Sequence, residues 1–139
     1  MTEYTLLLKE LEAGHKAILE NLDQIQYSTH NYPEAKPKLR ALQEILLSHF
    51  SKQNVKVLNE LVDSFKGDRE ADKMLEFLKV DLKDMGIKTL IFFDEHRADM
   101  VDVKPGRFPQ DFFQFAQDLK VRINIEHEYL FPLLERMKS

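Results

Sequence analysis

Apolar residues recur at intervals of three and four over four long stretches of this chain, which places them on one face of an α-helix in each stretch. The inner line of the first stretch contains Leu8, Leu11, His15, Ile18, Leu22 and Ile25. The second carries Leu39, Leu42, Leu46, His49, Gln53, Val57, Leu61 and Phe65. The third begins near Glu70 and carries Met74, Leu78, Leu82, Met85, Phe92, His96 and Met100. The fourth begins near Pro109 and carries Leu119, Ile123, Glu126, Leu130 and Leu133. No strand-like alternation competes with these lines, so the pattern predicts an all-α fold.

Turn-forming residues interrupt the helical pattern at three places. The breaks are residues 31–37, Gly67-Asp68, and residues 104–109. Four helices of about 25–30 residues joined by short loops are typical of an antiparallel up-down-up-down four-helix bundle. We therefore predict one domain spanning residues 1–139, with Pro132 perturbing the end of the fourth helix.

Composition excludes several classes of function. The chain is 43% hydrophobic and 32% charged with a net charge of −4, which predicts a globular protein without the basic surface that nucleic acid requires. No uncharged apolar run is long enough to span a membrane, and charges interrupt the N-terminal apolar residues, so we expect a cytoplasmic protein. Because the chain has no cysteine, any metal would need imidazole and oxygen ligands.

Polar residues on the inner lines are the candidates for chemistry. They are His15, His49, Gln53, His96, Arg122 and Glu126, with His127 one residue off the line. Helix lengths place His15 and His49 about 18–20 Å from one end of the bundle, with Arg122 at a similar height and Glu126 one turn deeper. His96 lies too close to the third break to match that height easily.

These residues resemble those of the hemerythrin-like, or HHE cation-binding, family. The segment Arg122-Ile-Asn-Ile-Glu126-His-Glu-Tyr-Leu130-Phe-Pro132 is similar to the family's H/R-I-x-x-E…L-F/Y-P motif. His49-Phe-Ser-Lys-Gln53 is similar to its H-F-x-x-E motif, and His15 and His96 supply the histidines of helices 1 and 3.

The resemblance implies non-haem iron, often as a di-iron pair, in proteins that carry oxygen, store iron, or sense oxygen, nitric oxide or redox state. Carried over by position, the ligands are His15, His49, His96 and Glu126, with Gln53 and His127 as secondary candidates. The metal would be iron, mononuclear or di-iron, or else zinc.

The sequence also departs from the family pattern. Gln53 stands where a bridging glutamate is expected, and Met100 and Arg122 stand where histidines are expected. A guanidinium has no lone pair to give a metal, and Arg122 is better placed to pair with Glu126, four residues on. A complete di-iron ligand set is therefore missing.

Three functions remain open from the sequence. The first is a metal-binding protein with a reduced site that senses or stores oxygen, nitric oxide or iron. The second is a metal-free bundle in which the same residues form a buried polar network, with function in contacts with a protein partner or a second copy. The third is an enzyme with a mononuclear iron, although no catalytic triad or phosphate-binding loop is present.

Overall fold

The computed structural model describes residues 3–97 and 106–137, which form four helices. Helix α1 is Glu3–Gln26 and α3 is Arg69–Glu95. Helix α2 covers residues 32–64 in three continuous segments, Tyr32–Leu46, the π-helical Leu47–Asn54 and Val55–Ser64. Helix α4 covers residues 107–137 in the same way, as Arg107–Ile125, the π-helical Glu126–Leu130 and Phe131–Met137. The described residues contain no strand, so the all-α prediction is confirmed.

The first predicted break is shorter than expected, because α2 already begins at Tyr32. Asn31 caps the helix by accepting a hydrogen bond from the backbone N–H of Glu34 at 3.3 Å. Pro33 lies in the first turn, where a backbone N–H has no partner within the helix, so its missing donor costs nothing. Pro37 lies inside the helix, where it removes one hydrogen bond.

The third predicted break is also displaced. Helix α3 ends at Glu95, with His96 as its C-cap, and therefore does not continue to Met100, which lies outside the described residues. Helix α4 begins at Arg107 rather than Pro109, directly after Gly106, whose φ of 87° is accessible to glycine at little cost. Pro109 is tolerated in the first turn for the same reason as Pro33.

The helices enclose two apolar clusters. Helix α1 contacts α2 and α4, and α3 contacts the same two helices. The first cluster contains Ile18, Leu46, Met85 and Ile123, one from each helix. The second contains Leu11, Val57, Leu78 and Leu130, again one from each helix.

A layer of buried polar residues separates the two clusters along every helix. His15 lies between Leu11 and Ile18, and Glu126 lies between Ile123 and Leu130. The layer also contains the buried His49 and Asn54 on α2 and Arg122 on α4, and the half-buried Asp81 on α3 contacts it through Arg122. In the part of the chain that the structure describes, no helix is long and apolar enough to cross a membrane.

Candidate metal centre

Three side chains with metal-binding atoms converge in the polar layer, one each from α1, α2 and α4. Nε2 of His15 lies 2.7 Å from Oε1 of Glu126, and Nε2 of His49 lies 2.9 Å from the same oxygen. All three residues are buried. The predicted common height of His15 and His49 is therefore confirmed, and Glu126, which was expected one turn deeper, reaches the same point.

Each of these side chains is held from its other end by a further polar group. Nδ1 of His15 is 3.1 Å from Nε2 of His127, and Nδ1 of His49 is 2.9 Å from Oε1 of Gln53. Oε2 of Glu126 accepts a hydrogen bond from Nε of Arg122 at 2.8 Å. Histidines that bind metals are typically oriented in this way, through the ring nitrogen that does not bind.

The contact with Gln53 determines what His49 can do. An amide oxygen only accepts hydrogen bonds, so Nδ1 of His49 donates to Gln53 and a neutral ring keeps its lone pair on Nε2. That lone pair faces a carboxylate oxygen of Glu126, which also carries lone pairs. In this tautomer, two such atoms 2.9 Å apart need a cation between them, either a proton or a metal ion.

Glu126 is ionised despite its burial. Burial opposes the charged form, but hydrogen bonds from His15 and His49 outweigh it. The positive charges of His49 and Arg122 act in the same direction and hold the pKa of this carboxyl well below its usual range. The carboxylate is therefore available as an anionic ligand.

The two π-helical segments carry the site. The first contains His49, Gln53 and Asn54, and the second contains Glu126 and His127. The side-chain amide of Asn54 donates to the backbone carbonyl of His49 at 3.1 Å. In an ordinary α-helix, that carbonyl would accept from the backbone N–H of residue 53. Pro132 has no N–H to donate to the carbonyl of residue 128. This missing bond favours the wider π-helical turn that precedes Pro132. Such segments occur frequently at functional sites.

Gly14 is a site residue that sequence reasoning missed. A Cβ at this position would lie 2.5 Å from Nδ1 of His49 and 2.9 Å from Oε1 of Gln53, closer than van der Waals contact allows. Helix α1 therefore needs glycine here for the His49–Gln53 pair to pack against it.

His96 is not part of this cluster, which corrects the predicted four-ligand set. The chain leaves α3 at this residue, and Nε2 of His96 lies 2.9 Å from Oδ2 of Asp111 at the start of α4. With Glu95 these two form a second group of metal-binding atoms, but Nη2 of Arg107 lies 3.8 Å from the same Asp111 oxygen. The guanidinium of Arg107 therefore competes with any metal ion for the carboxylate of Asp111.

The other predicted residues lie beside the three convergent ones. Gln53 and His127 orient the histidines rather than joining the cluster of ligand atoms, and Arg122 pairs with Glu126 as predicted. Asn54 and Asp81 were missed because their roles depend on contacts with Arg122 from other helices.

The donor set fits one metal ion. Two imidazoles and one carboxylate form a set that binds iron(II) or zinc in proteins and leaves coordination positions open. The ligand atoms of the three residues lie within 4.8 Å of one another, close enough for one ion to contact all of them.

A cavity connects the site to the surface between α1 and α2. Its volume is about 310 Å³, and its lining includes Gly14, Ser48, His49 and Gln53. This opening provides a route for an ion or a small molecule to the edge of the site.

Comparison of the chain with family models, with curated proteins and with solved structures finds no match. Its function must therefore be argued from the site.

Proposed function

We propose that this protein binds one non-haem metal ion through His15, His49 and Glu126, and that iron is the metal. The observation that carries the proposal is the approach of both histidine Nε2 atoms to one oxygen of Glu126. The hydrogen bond from His49 to Gln53 supports it, because it leaves a lone pair directed at that oxygen. Two histidines and one carboxylate with open coordination positions form the set typical of non-haem iron(II), which favours iron as the metal.

We propose that the four helices form an antiparallel up-down-up-down bundle of the hemerythrin-like kind, and that this bundle holds the metal site. Along the chain, α1 passes from the second apolar cluster to the first, and α2 passes from the first to the second. Helices α3 and α4 repeat that alternation. A reversal of direction at each connection accounts for this order.

The role we propose is sensing or storage of oxygen, nitric oxide or iron. Three protein ligands leave open positions for a small molecule, and the cavity beside His49 and Gln53 supplies a route to them. The acid–base groups beside this route are Glu10, which lines the cavity, and His127, which is tied to His15.

Metal content decides the proposal. Protein purified and loaded anaerobically with Fe²⁺, and separately with Zn²⁺, should hold about one metal per chain, and His49→Ala should reduce affinity at least tenfold. His30→Ala is the matched control, since His30 is exposed in the first loop. Less than about a tenth of a metal per chain under both conditions would contradict the proposal.

Proton release gives a second test. A metal ion that enters between His49 and Glu126 displaces the proton that otherwise lies there, so binding should release about one proton per metal. Calorimetric titration in two buffers of different ionisation enthalpy measures this number. Metal that bound at the surface would release fewer protons and would be insensitive to His49→Ala.

A second candidate function is a metal-free bundle that acts through contacts with a protein partner. One observation favours it: among the described residues, no buried side-chain nitrogen or oxygen lacks a hydrogen-bond partner. With a proton between His49 and Glu126, the polar layer is complete without metal. Near-stoichiometric metal that is lost on His49→Ala would count against this candidate.

A further inference from the structure

The guanidinium group of Arg122 lies at the centre of a pocket made of oxygen atoms. Its three nitrogens donate to Oε2 of Glu126 at 2.8 Å, to Oδ2 of Asp81 at 2.9 Å and to Oδ1 of Asn54 at 2.7 Å. A further bond runs to the carbonyl oxygen of Leu78 at 3.2 Å. The side chain of Arg122 is 1% exposed.

These four acceptors are the kind of ligand that hard divalent cations bind. Two carboxylates, an amide oxygen and a backbone carbonyl resemble the oxygen sets that hold Mg²⁺, Ca²⁺ or Mn²⁺. They come from α2, α3 and α4, so the pocket is formed by the fold and not by a single helix. Both carboxylates contact the same guanidinium, Glu126 at 2.8 Å and Asp81 at 2.9 Å, so its removal takes a positive charge away from both.

The pocket also has an acidic approach from outside. A cavity of about 110 Å³ beside Arg122 is lined by Asp81, Asp84 and Asp118, together with Lys88. Lys88 lies 3.8 Å from Asp118, so the approach retains two carboxylates without that lysine. A cation could therefore reach this position from solvent.

We propose that Arg122 is a built-in cation that occupies a second cation site of the metal centre and so limits the protein to one metal ion. In this arrangement the carboxylate of Glu126 contacts two positive charges, one through each oxygen. Its Oε1 faces the metal held by the histidines, and its Oε2 is saturated by Arg122 and cannot bridge to a second metal. Arg122 is thus a positioning and specificity-determining residue, and its role rests on the proposed metal site at His15, His49 and Glu126.

Removing the guanidinium should expose the oxygen-lined site. In Arg122→Ala, Mn²⁺ should bind some of the four oxygens directly and the others through water, and should raise Tm by about 5 °C or more at saturation. Bound Mn²⁺ is counted independently by electron paramagnetic resonance. In the same His49→Ala background, the chain that keeps Arg122 and the Arg122→Lys variant, which keeps a positive charge, should show neither effect.

The test is made in the His49→Ala background, so that it does not depend on the first metal. Arg136→Ala is the matched control, since Arg136 is on the same helix but half-exposed and paired with Asp68. If Arg122→Ala is unfolded alone, Mn²⁺ should restore its folding. A chain that Mn²⁺ neither stabilises nor refolds would overturn the proposal.

The number of metal ions that the wild-type protein binds per chain separates the remaining outcomes. One iron per chain in wild type agrees with the proposal, and two irons per chain would overturn it while leaving metal binding itself intact. If wild type holds no metal but Mn²⁺ stabilises Arg122→Ala, the proposed function fails and the cation role of Arg122 stands. The two failures are therefore distinguishable.

Discussion

Glu126 is the residue on which the polar layer depends. One of its oxygens faces two histidines, and the other faces a buried arginine. A buried charge whose partner is removed is far more costly than the intact pair, because the remaining charge has no water to replace the partner.

Substitution of Glu126 by Gln should therefore lower the free energy of unfolding by about 2–3 kcal/mol in the metal-free protein, since Arg122 then keeps only the half-buried Asp81 as a counter-charge. Urea denaturation measures the change. Glu128→Gln, two residues away and exposed, should shift the value by less than about 0.5 kcal/mol. Equal effects at the two positions would show that the buried ion pair contributes little.

The sequence predicted the central residues of the site better than their surroundings. Helical spacing and the distance from the breaks were enough to bring His15 and His49 to one height, with Glu126 within one turn of it. His96 was assigned as a ligand by the family resemblance, although its distance from the third break already set it apart from that height, and the structure places it with Asp111. Gly14 and Asp81 were missed because their importance comes from side chains on neighbouring helices, whose rotation the sequence pattern does not fix.

At the scale of elements, the contact between α1 and α2 depends on the absence of a side chain at one position. Gly14 lies within α1, where glycine is otherwise unfavourable by about 0.5–1 kcal/mol relative to alanine. The imidazole of His49 and the amide of Gln53 occupy the space that a Cβ would need.

Replacement of Gly14 by Ala should thus destabilise the protein by roughly 1–3 kcal/mol and weaken metal binding about tenfold or more, because His49 must move. Gly86→Ala is the paired comparison, since a Cβ at that position would have no neighbouring group within 4 Å. It should raise the free energy of unfolding by about 0.5–1 kcal/mol and leave metal affinity unchanged. Thermal melting and metal titration measure both variants, and a stabilised Gly14→Ala would disprove the packing argument.

The start of α3 carries a pH-dependent cap. Asp68 accepts a hydrogen bond from the backbone N–H of Ala71 at 3.1 Å, and Arg136 donates to its other oxygen at 2.7 Å. These contacts lower the pKa of Asp68 in the folded protein, the bond from Ala71 having the largest effect. The stabilisation is therefore present above the unfolded pKa of about 3.9 and is lost as the pH falls through the folded value.

Comparison of wild type with Asp68→Asn isolates this effect, since asparagine keeps the capping oxygen but cannot ionise. The wild type should have the higher urea midpoint at pH 7, and the difference should shrink as the pH is lowered from 5 to about 2.5. A difference that stays constant over this range would mean that the ionised form of Asp68 is not what stabilises the helix start.

The π-helical segments could not be predicted from the residue pattern. Over Leu47–Asn54 the apolar spacing reads as ordinary helix, because a wider turn changes which backbone groups pair and alters the side-chain order little. Pro132 gave a partial signal for the second segment, as a perturbation near the end of α4. The link between that perturbation and the position of Glu126 appears only in three dimensions.

For the whole molecule, the proposed metal ion would join α1, α2 and α4 at one point. Ligands that bind only the folded state stabilise it in proportion to their affinity. Removal of iron from loaded protein with a chelator should therefore lower Tm by roughly 5 °C or more. His49→Ala should melt at the same temperature with and without the chelator, as scanning calorimetry can establish, whereas His30→Ala should behave as wild type.

The polar layer between the two apolar clusters has a consequence for how the helices align lengthwise. Apolar side chains tolerate a shift of one helical turn, about 5.4 Å, because leucine and isoleucine can replace one another as neighbours. The polar layer does not tolerate such a shift, because it would move Arg122 or Glu126 among apolar side chains without a counter-charge. The buried charges therefore select a single vertical alignment of the four helices, and variants with an entirely apolar core should gain stability while losing that uniqueness.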